Sequence, residues 1–177
     1  MQRRRRQQLK FLDETGVTIS LTPLYGRAAP GVRVVDRVPR NYGQPLSLLA
    51  VLSARGLNAP MTVEGPVDAG VFRVYVEQVL GPTLVPGDIV VMDNLAVHKV
   101  AGIAEAIRAR GAHVAYLPPY SPDLNPIEQG WSKLKTALRQ RKARTRRTLD
   151  RALSALLPPI SSADARAWFR HCGYSLY

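Results

Sequence analysis

Three acidic side chains sit where chemistry could use them. Asp13 lies on the first apolar strand, in "LKFLDETG". Asp93 closes "DIVVMDN", the most apolar strand of the chain. Glu128 opens a helical pattern just after "LPPYSPDLNP". In an open sheet, ligands gather beyond the carboxyl ends of the strands, so an acid ending a buried strand is a candidate ligand group. A lone buried carboxylate is costly, and three brought together repel unless a cation joins them. Hard divalent ions such as Mg²⁺ or Mn²⁺ prefer oxygen donors. Two such ions can activate a water and stabilise the leaving oxygen of a phosphodiester.

Each acid also has a purely structural reading. Asp13 could begin a turn in "DETG". Asp93-Asn94 could form an Asx-turn leaving the strand. In "NPIE", Asn125 matches an N-cap, Pro126 the first turn and Glu128 the third position of a capping box. On periodicity alone the cap reading of Glu128 leads. The same helix carries an apolar stripe of Ile127, Trp131, Leu134 and Leu138. Glu128 stands about 100° round the helix from Ile127, beside that stripe.

The elements that must position these acids are legible. "LKFLDETGVTIS" reads as strand, turn at Thr15-Gly16 and strand. "YGRAAPGVRVVDRVPRNYGQP" reads as a loop rich in Gly and Pro. "LSLLAVLS" and "MTVEGPV" read as strands, and "DAGVFRVYVEQVLGPTL" as a helix with Asp68 as its cap. "GDIVVMDN" is a buried strand, "VAGIAEAIRARG" a helix stopped by Gly111, and "AHVAYLPP" a strand halted by prolines. The order predicts an α/β fold, a mixed sheet with antiparallel strands first, parallel strands after, and helices on its faces. Asn125 to about Arg141 reads as one helix; "TLDRALSALL" and "SADARAWFRHC" read as two more.

Charge points to the partner. The chain has 25 Lys and Arg against 13 Asp and Glu, net +12. The excess is mostly arginine, at Arg3 to Arg6 and Arg139 to Arg147, which favours a polyanion through counterion release over a merely solvated surface. A single cysteine, Cys172, excludes a disulfide within the chain and fits a reducing cytoplasm. No CxxC pattern or histidine cluster suggests zinc. No apolar run approaches the ~20 residues of a membrane span, and the basic start lacks the apolar segment of a signal peptide.

Other polar residues divide between roles. His98 is placed to hydrogen-bond a carboxylate or phosphate rather than to ligate a metal. Asn94 either bonds a neighbouring carboxylate or ends the strand. Glu14 points to the face opposite Asp13 and is not read as a ligand. Asp123 fits a turn. Arg27, in "YGRAAPG", could touch DNA backbone or stack in its loop. Lys133, Lys135, Arg139 and Arg141 cover much of the remaining surface of the Glu128 helix, beside which a phosphate backbone could run. Trp168 and Phe169 read as packing residues.

"FLDETG", "VVMDNLAVHK" and "LPPYSPDLNPIEQGWSKLK" together resemble the three catalytic blocks of mariner-related DDE transposases, nearest in pattern to the bacterial branch called insertion sequence 630. "YGRAAPG" and "VEQVLGPTLVPGDIVVMDN" are similar to that branch too, as is the spacing of 34 residues between Asp93 and Glu128. The resemblance runs from about Phe11 to Tyr174. It implies a ribonuclease-H-like, mixed five-stranded sheet and a catalytic, metal-binding triad of Asp13, Asp93 and Glu128 holding two ions. It implies cleavage at transposon ends and joining of the freed 3′-hydroxyl to target DNA, by in-line attack without a covalent protein intermediate. The expected organisation is a basic leader at 1–8, a catalytic domain at 9–145 and a helical extension at 146–177. The partners implied are terminal-repeat and target DNA, with the protein cytoplasmic in a bacterium and on the nucleoid when bound. Bringing two ends together implies a homodimer. Full-length relatives carry an N-terminal recognition region, but only twelve residues precede Asp13. The expectation is therefore a partner encoded by an upstream frame, or else an inactive DNA-binding remnant.

Overall fold

A computed structural model gives the fold and describes residues 8–175. The arginine run of the basic leader therefore lies outside the described residues. Five strands form one sheet: β1 (Leu9–Val17), β2 (Leu46–Ser53), β3 (Gly56–Glu64), β4 (Ile89–Met92) and β5 (His113–Tyr116). Their order is β3-β2-β1-β4-β5. β1, β2 and β3 pair antiparallel, while β1–β4 and β4–β5 are parallel.

Two local expectations give way. No turn interrupts "DETG": β1 runs straight through it, with Thr15 opposite Leu48 and Gly16 opposite Ser47. Gly16 does not adopt the positive φ that a tight hairpin turn would favour. The full length of β2 offers ladder bonds and a buried face, which outweigh the local turn signal. The third antiparallel strand is instead β3, which begins at Gly56 rather than Met61. Ala59, at φ 49°, and Pro60 sit beside a register shift opposite Leu49 to Val51. A proline is tolerated at such a bulge on an edge strand.

The crossover after β3 is α1 (Ala69–Val74), which continues as a π-helical turn, Tyr75–Leu80, and a 3₁₀ turn, Gly81–Thr83. Asp68 caps it as expected, its Oδ1 accepting from the Val71 amide at 2.8 Å. β4 leads through a 3₁₀ turn (Ala96–Lys99) into α2 (Ile103–Arg108). Gly111, at φ 74°, turns the chain after α2. A 3₁₀ turn (Pro122–Leu124) precedes α3 (Ile127–Arg141), followed by α4 (Arg146–Leu156) and α5 (Ser162–His171).

The alternation of side chains along the strands divides the core in two. Phe11, Leu48, Ala50, Leu52 and Val91 pack against α3, α4 and α5, and the expected stripe of Ile127, Trp131, Leu134 and Leu138 is the buried face of α3. Phe169 is fully buried here, edge-on to Phe11 at 5.2 Å, so it is a core residue as predicted. Leu12, Leu49, Val51, Val90 and Met92 face the other way, against Phe72, Tyr75, Leu80, Ile103 and Ile107. The C-terminal helices therefore share one core with the sheet. Among the described residues, no helix is long and apolar enough to cross a membrane.

Candidate active site

The parallel register sets the site. Phe11 of β1 lies beside Val91 of β4. Two residues further along each strand come Asp13 and Asp93, so the sheet itself carries the two acids to adjacent places. The prolines after β5 then turn the chain, and α3 begins beside them. Asp13, Asp93 and Glu128 line one cleft of about 380 Å³, together with Asn94, Leu95, Asn125 and the Leu117–Pro122 segment.

Asp13 is the most constrained of the three. It is 7% exposed. Its Oδ1 accepts from the Glu14 amide at 2.8 Å. Its Oδ2 accepts from the Trp131 indole at 3.2 Å and the Asn125 amide group at 3.3 Å. Burial pushes its pKa up to about 7; the carboxylates of Glu128 and Asp93 push the same way, against the two hydrogen bonds from Glu14 and Trp131.

Asp93 follows the last residue of β4. Its Oδ1 accepts from the Leu95 amide at 3.2 Å, the local Asx geometry considered for "DN". The same oxygen lies 2.6 Å from His98 Nδ1, a close approach that does not meet the geometry of a hydrogen bond. His98 is buried and stacks on Phe72 at 4.5 Å between ring centroids. Its backbone carbonyl accepts from the Tyr116 hydroxyl at 3.1 Å. The structure thus brings His98 to Asp93, on the side of the sheet away from Asp13.

Glu128 corrects the capping-box reading. The cap position is Pro126, not Asn125, so Glu128 is the second helical residue. The Asn125 side chain turns inward to Asp13 rather than to the helix amides; its backbone carbonyl receives the Glu128 amide at 3.2 Å. Glu128 itself is exposed at the cleft. Among the described residues, no three acidic, histidine or cysteine side chains stand close enough together to hold one metal ion. The carboxylates line a common cleft without closing into a cluster.

The donor set nonetheless fits hard cations. It consists of carboxylate oxygens, and burial, with lesser contributions from Glu128 and Asp93, makes ionised Asp13 costly, a cost that a cation would relieve. Asn125 Oδ1, next to Asp13, is a buried acceptor with no hydrogen-bond partner. Asn125 and Trp131 were legible in the sequence only as a cap and a packing residue. Their hydrogen-bonding roles come from the way α3 is laid across β1.

The basic candidates do not converge on the cleft, and none of the five lines it. Lys133 is paired with Asp164 at 2.7 Å. Lys135 and Arg139 are half-buried along α3, and Arg27 is exposed in the β1–β2 loop. Arg141 borders a shallow hollow with Lys142, Arg144 and Arg151. Two of these cations hold the β1–β2 loop: Lys142 meets Asp36 at 2.8 Å, and Arg144 donates to the carbonyls of Ile19, Leu21 and Arg37.

A five-stranded mixed sheet in this order, with acids at adjacent strand positions and helices on both faces, is a ribonuclease-H-like fold. The chain belongs to the DDE superfamily endonuclease family, whose profile matches residues 8–150. Among solved structures, it is similar to the pre-cleavage Mos1 transpososome, with a TM-score of 0.72 and 13% identity over 95% of this chain and 52% of that one. The Mos1 mariner paired-end complex with Mn gives 0.71 and 14%, over 95% and 52%. The catalytic domain of Mos1 mariner transposase gives 0.62 and 13%, over 95% and 76%. The chain thus spans about half the length of the Mos1 chains in the two complexes. No match is found among curated proteins.

Proposed function

We propose that this chain is the catalytic domain of a mariner-related transposase of the insertion-sequence-630 branch. It cleaves DNA at transposon ends and joins the freed 3′-hydroxyl to target DNA. The observation that carries this reading is the meeting of Asp13, Asp93 and Glu128 on one cleft of a DDE-family fold. The catalytic domain takes residues 9–145, with 146–177 as its helical extension.

Asp13, Asp93 and Glu128 would hold the metal, two Mg²⁺ or Mn²⁺ ions. When bound, these supply charge that activates a water or 3′-hydroxyl and eases departure of the leaving oxygen. The chain's own residues do the positioning. Trp131 and Asn125 fix Asp13 from α3. The Leu95 amide and His98 hold Asp93. Glu128, exposed at the first turn of α3, is the acid best able to swing inward. Its place in the first turn of the helix also favours an anion through the helix dipole. Arg27, Lys135, Arg139 and Arg141 meet phosphates; Lys133 does so once released from Asp164. The DNA partners are terminal repeats and a target, handled by a homodimer on the bacterial nucleoid.

A second reading, a DNA-binding remnant without catalysis, is favoured by the open spacing of the acids. One experiment separates the two. DNA carrying matched terminal repeats is incubated with the protein and Mg²⁺ or Mn²⁺, with and without the upstream-frame product. Nicking and strand transfer are expected, and Asp93→Asn abolishes both while circular dichroism stays native. Salt-sensitive binding with no cleavage under either condition would establish the remnant. Undiminished activity in Asp93→Asn would refute the site.

A further inference from the structure

The face of the sheet opposite Asp13 carries polar atoms that the proposed chemistry does not use. Glu14 alternates with Asp13 on β1 and so shares the face of Leu12. That face packs against Phe72, on which the His98 ring is stacked. Glu14 is only half-buried as a residue, yet its Oε2 is buried and has no hydrogen-bond partner. Both His98 ring nitrogens are likewise buried and without a hydrogen-bond partner, Nδ1 standing 2.6 Å from Asp93 Oδ1. A buried polar atom left without a partner is costly. Burial pushes the Glu14 carboxyl up, while His98 pulls it down and Asp93 pushes it up, so the three groups share one electrostatic neighbourhood.

We propose that Glu14, His98 and Asp93 form a line of side chains in which Glu14 holds the Nε2 end of the His98 ring and the Nδ1 end holds Asp93. Glu14 is a positioning residue that acts through His98. In this line the Nδ1 end of the ring meets Asp93 Oδ1, 2.6 Å away, and the Nε2 end meets Glu14, directly or across one water. Two orphaned buried groups are satisfied together. Asp93 is then fixed from one side of the sheet, as Trp131 and Asn125 fix Asp13 from the other. Partners that orient a metal ligand typically change metal affinity by about 10–100-fold when removed.

The inference rests on the proposed metal-holding role of Asp93, and its test has two arms so that the two can fail separately. In the metal-free wild-type protein, nuclear magnetic resonance should show the His98 Nε2 proton exchanging slowly, with a cross-peak to the Glu14 side chain. A fast-exchanging Nε2 proton without that cross-peak would overturn the proposal, whatever the protein does with metal. In the second arm, Mn²⁺ titration calorimetry compares variants. Glu14→Ala should bind Mn²⁺ about tenfold more weakly. Glu14→Gln, which keeps an acceptor, should bind as wild type does. Glu14→Ala/His98→Ala should bind no more weakly than His98→Ala, since the two act as one unit. Wild-type affinity in Glu14→Ala, or losses that multiply in the double variant, would sink the line of contacts. Mn²⁺ binding untouched by Asp93→Asn would instead sink the reading of the cleft.

Discussion

If the proposed site holds a metal, Asp13 would couple its binding to proton release, and the raised pKa of Asp13 sets the pH at which this would be felt. Its pKa rises from 3.8 to about 7 through burial and two neighbouring carboxylates. That displacement corresponds to about 4 kcal/mol between its two protonation states, an upper figure for what ionising it in the closed site costs. A group with a raised folded pKa contributes stability below its unfolded pKa and loses it as pH rises through the folded one. The metal-free protein should therefore become less stable between about pH 4 and about pH 7, and Asp13→Asn should flatten that slope. A divalent ion does the reverse. It needs the ionised carboxylate, so below about pH 7 it must displace a proton and its affinity should fall about tenfold per pH unit. Above about pH 7 affinity should level off. The assay is Mn²⁺ titration calorimetry from about pH 5.5 to about pH 8, repeated in buffers of different ionisation enthalpy. At pH 7, binding should release about half a proton. An affinity independent of pH across this range, with no proton released, would refute the reasoning.

Two further perturbations test the supports of the site. Trp131→Phe keeps an aromatic ring in the core but removes the indole donor to Asp13 and leaves a small cavity, so it should cost about 1–3 kcal/mol in denaturant unfolding. It should also raise the Asp13 pKa further and weaken Mn²⁺ binding at pH 7, read by the same calorimetry. Arg144→Ala removes three donations to the carbonyls of the β1–β2 loop. It should cost about 1.5–3 kcal/mol and speed tryptic cleavage at Arg27, Arg33, Arg37 and Arg40, seen by mass spectrometry of the early fragments.

The sequence was most legible where hydrophobic pattern and site chemistry agree. Asp93 ends an unbroken apolar strand, and the α3 stripe announces which face is buried. Both follow from burial, which leaves its mark on residue type. The misreadings come from places where tertiary partners overrule local preference. Gly16 lies in a strand because β2 runs its full length beside it. Asn125 has the composition of a cap, but the carboxylate of Asp13, distant in sequence, takes its amide group. The β3 start was hidden because Pro60 looks like a break and is a bulge. Basic residues were the least legible. Charge alone does not distinguish Arg141, exposed beside a hollow, from Lys133, Lys142 and Arg144, which serve protein contacts.

The mounting of the β1–β2 loop has a bearing on how this surface can change. Arg144 grips main-chain oxygens at three positions, and a main-chain oxygen is present whatever side chain the residue carries. Leu24, Tyr25, Val32, Val35 and Tyr42 stand outward on that loop, largely free of the body beneath. Their identities can therefore drift, one exposed residue at a time, while the Arg144 guanidinium, the Lys142–Asp36 pair and the packing of Ile19 and Leu21 against the core help to keep the path of the loop. The fold separates what the loop displays from what holds it, so a new surface can be tried without rebuilding the core of the domain.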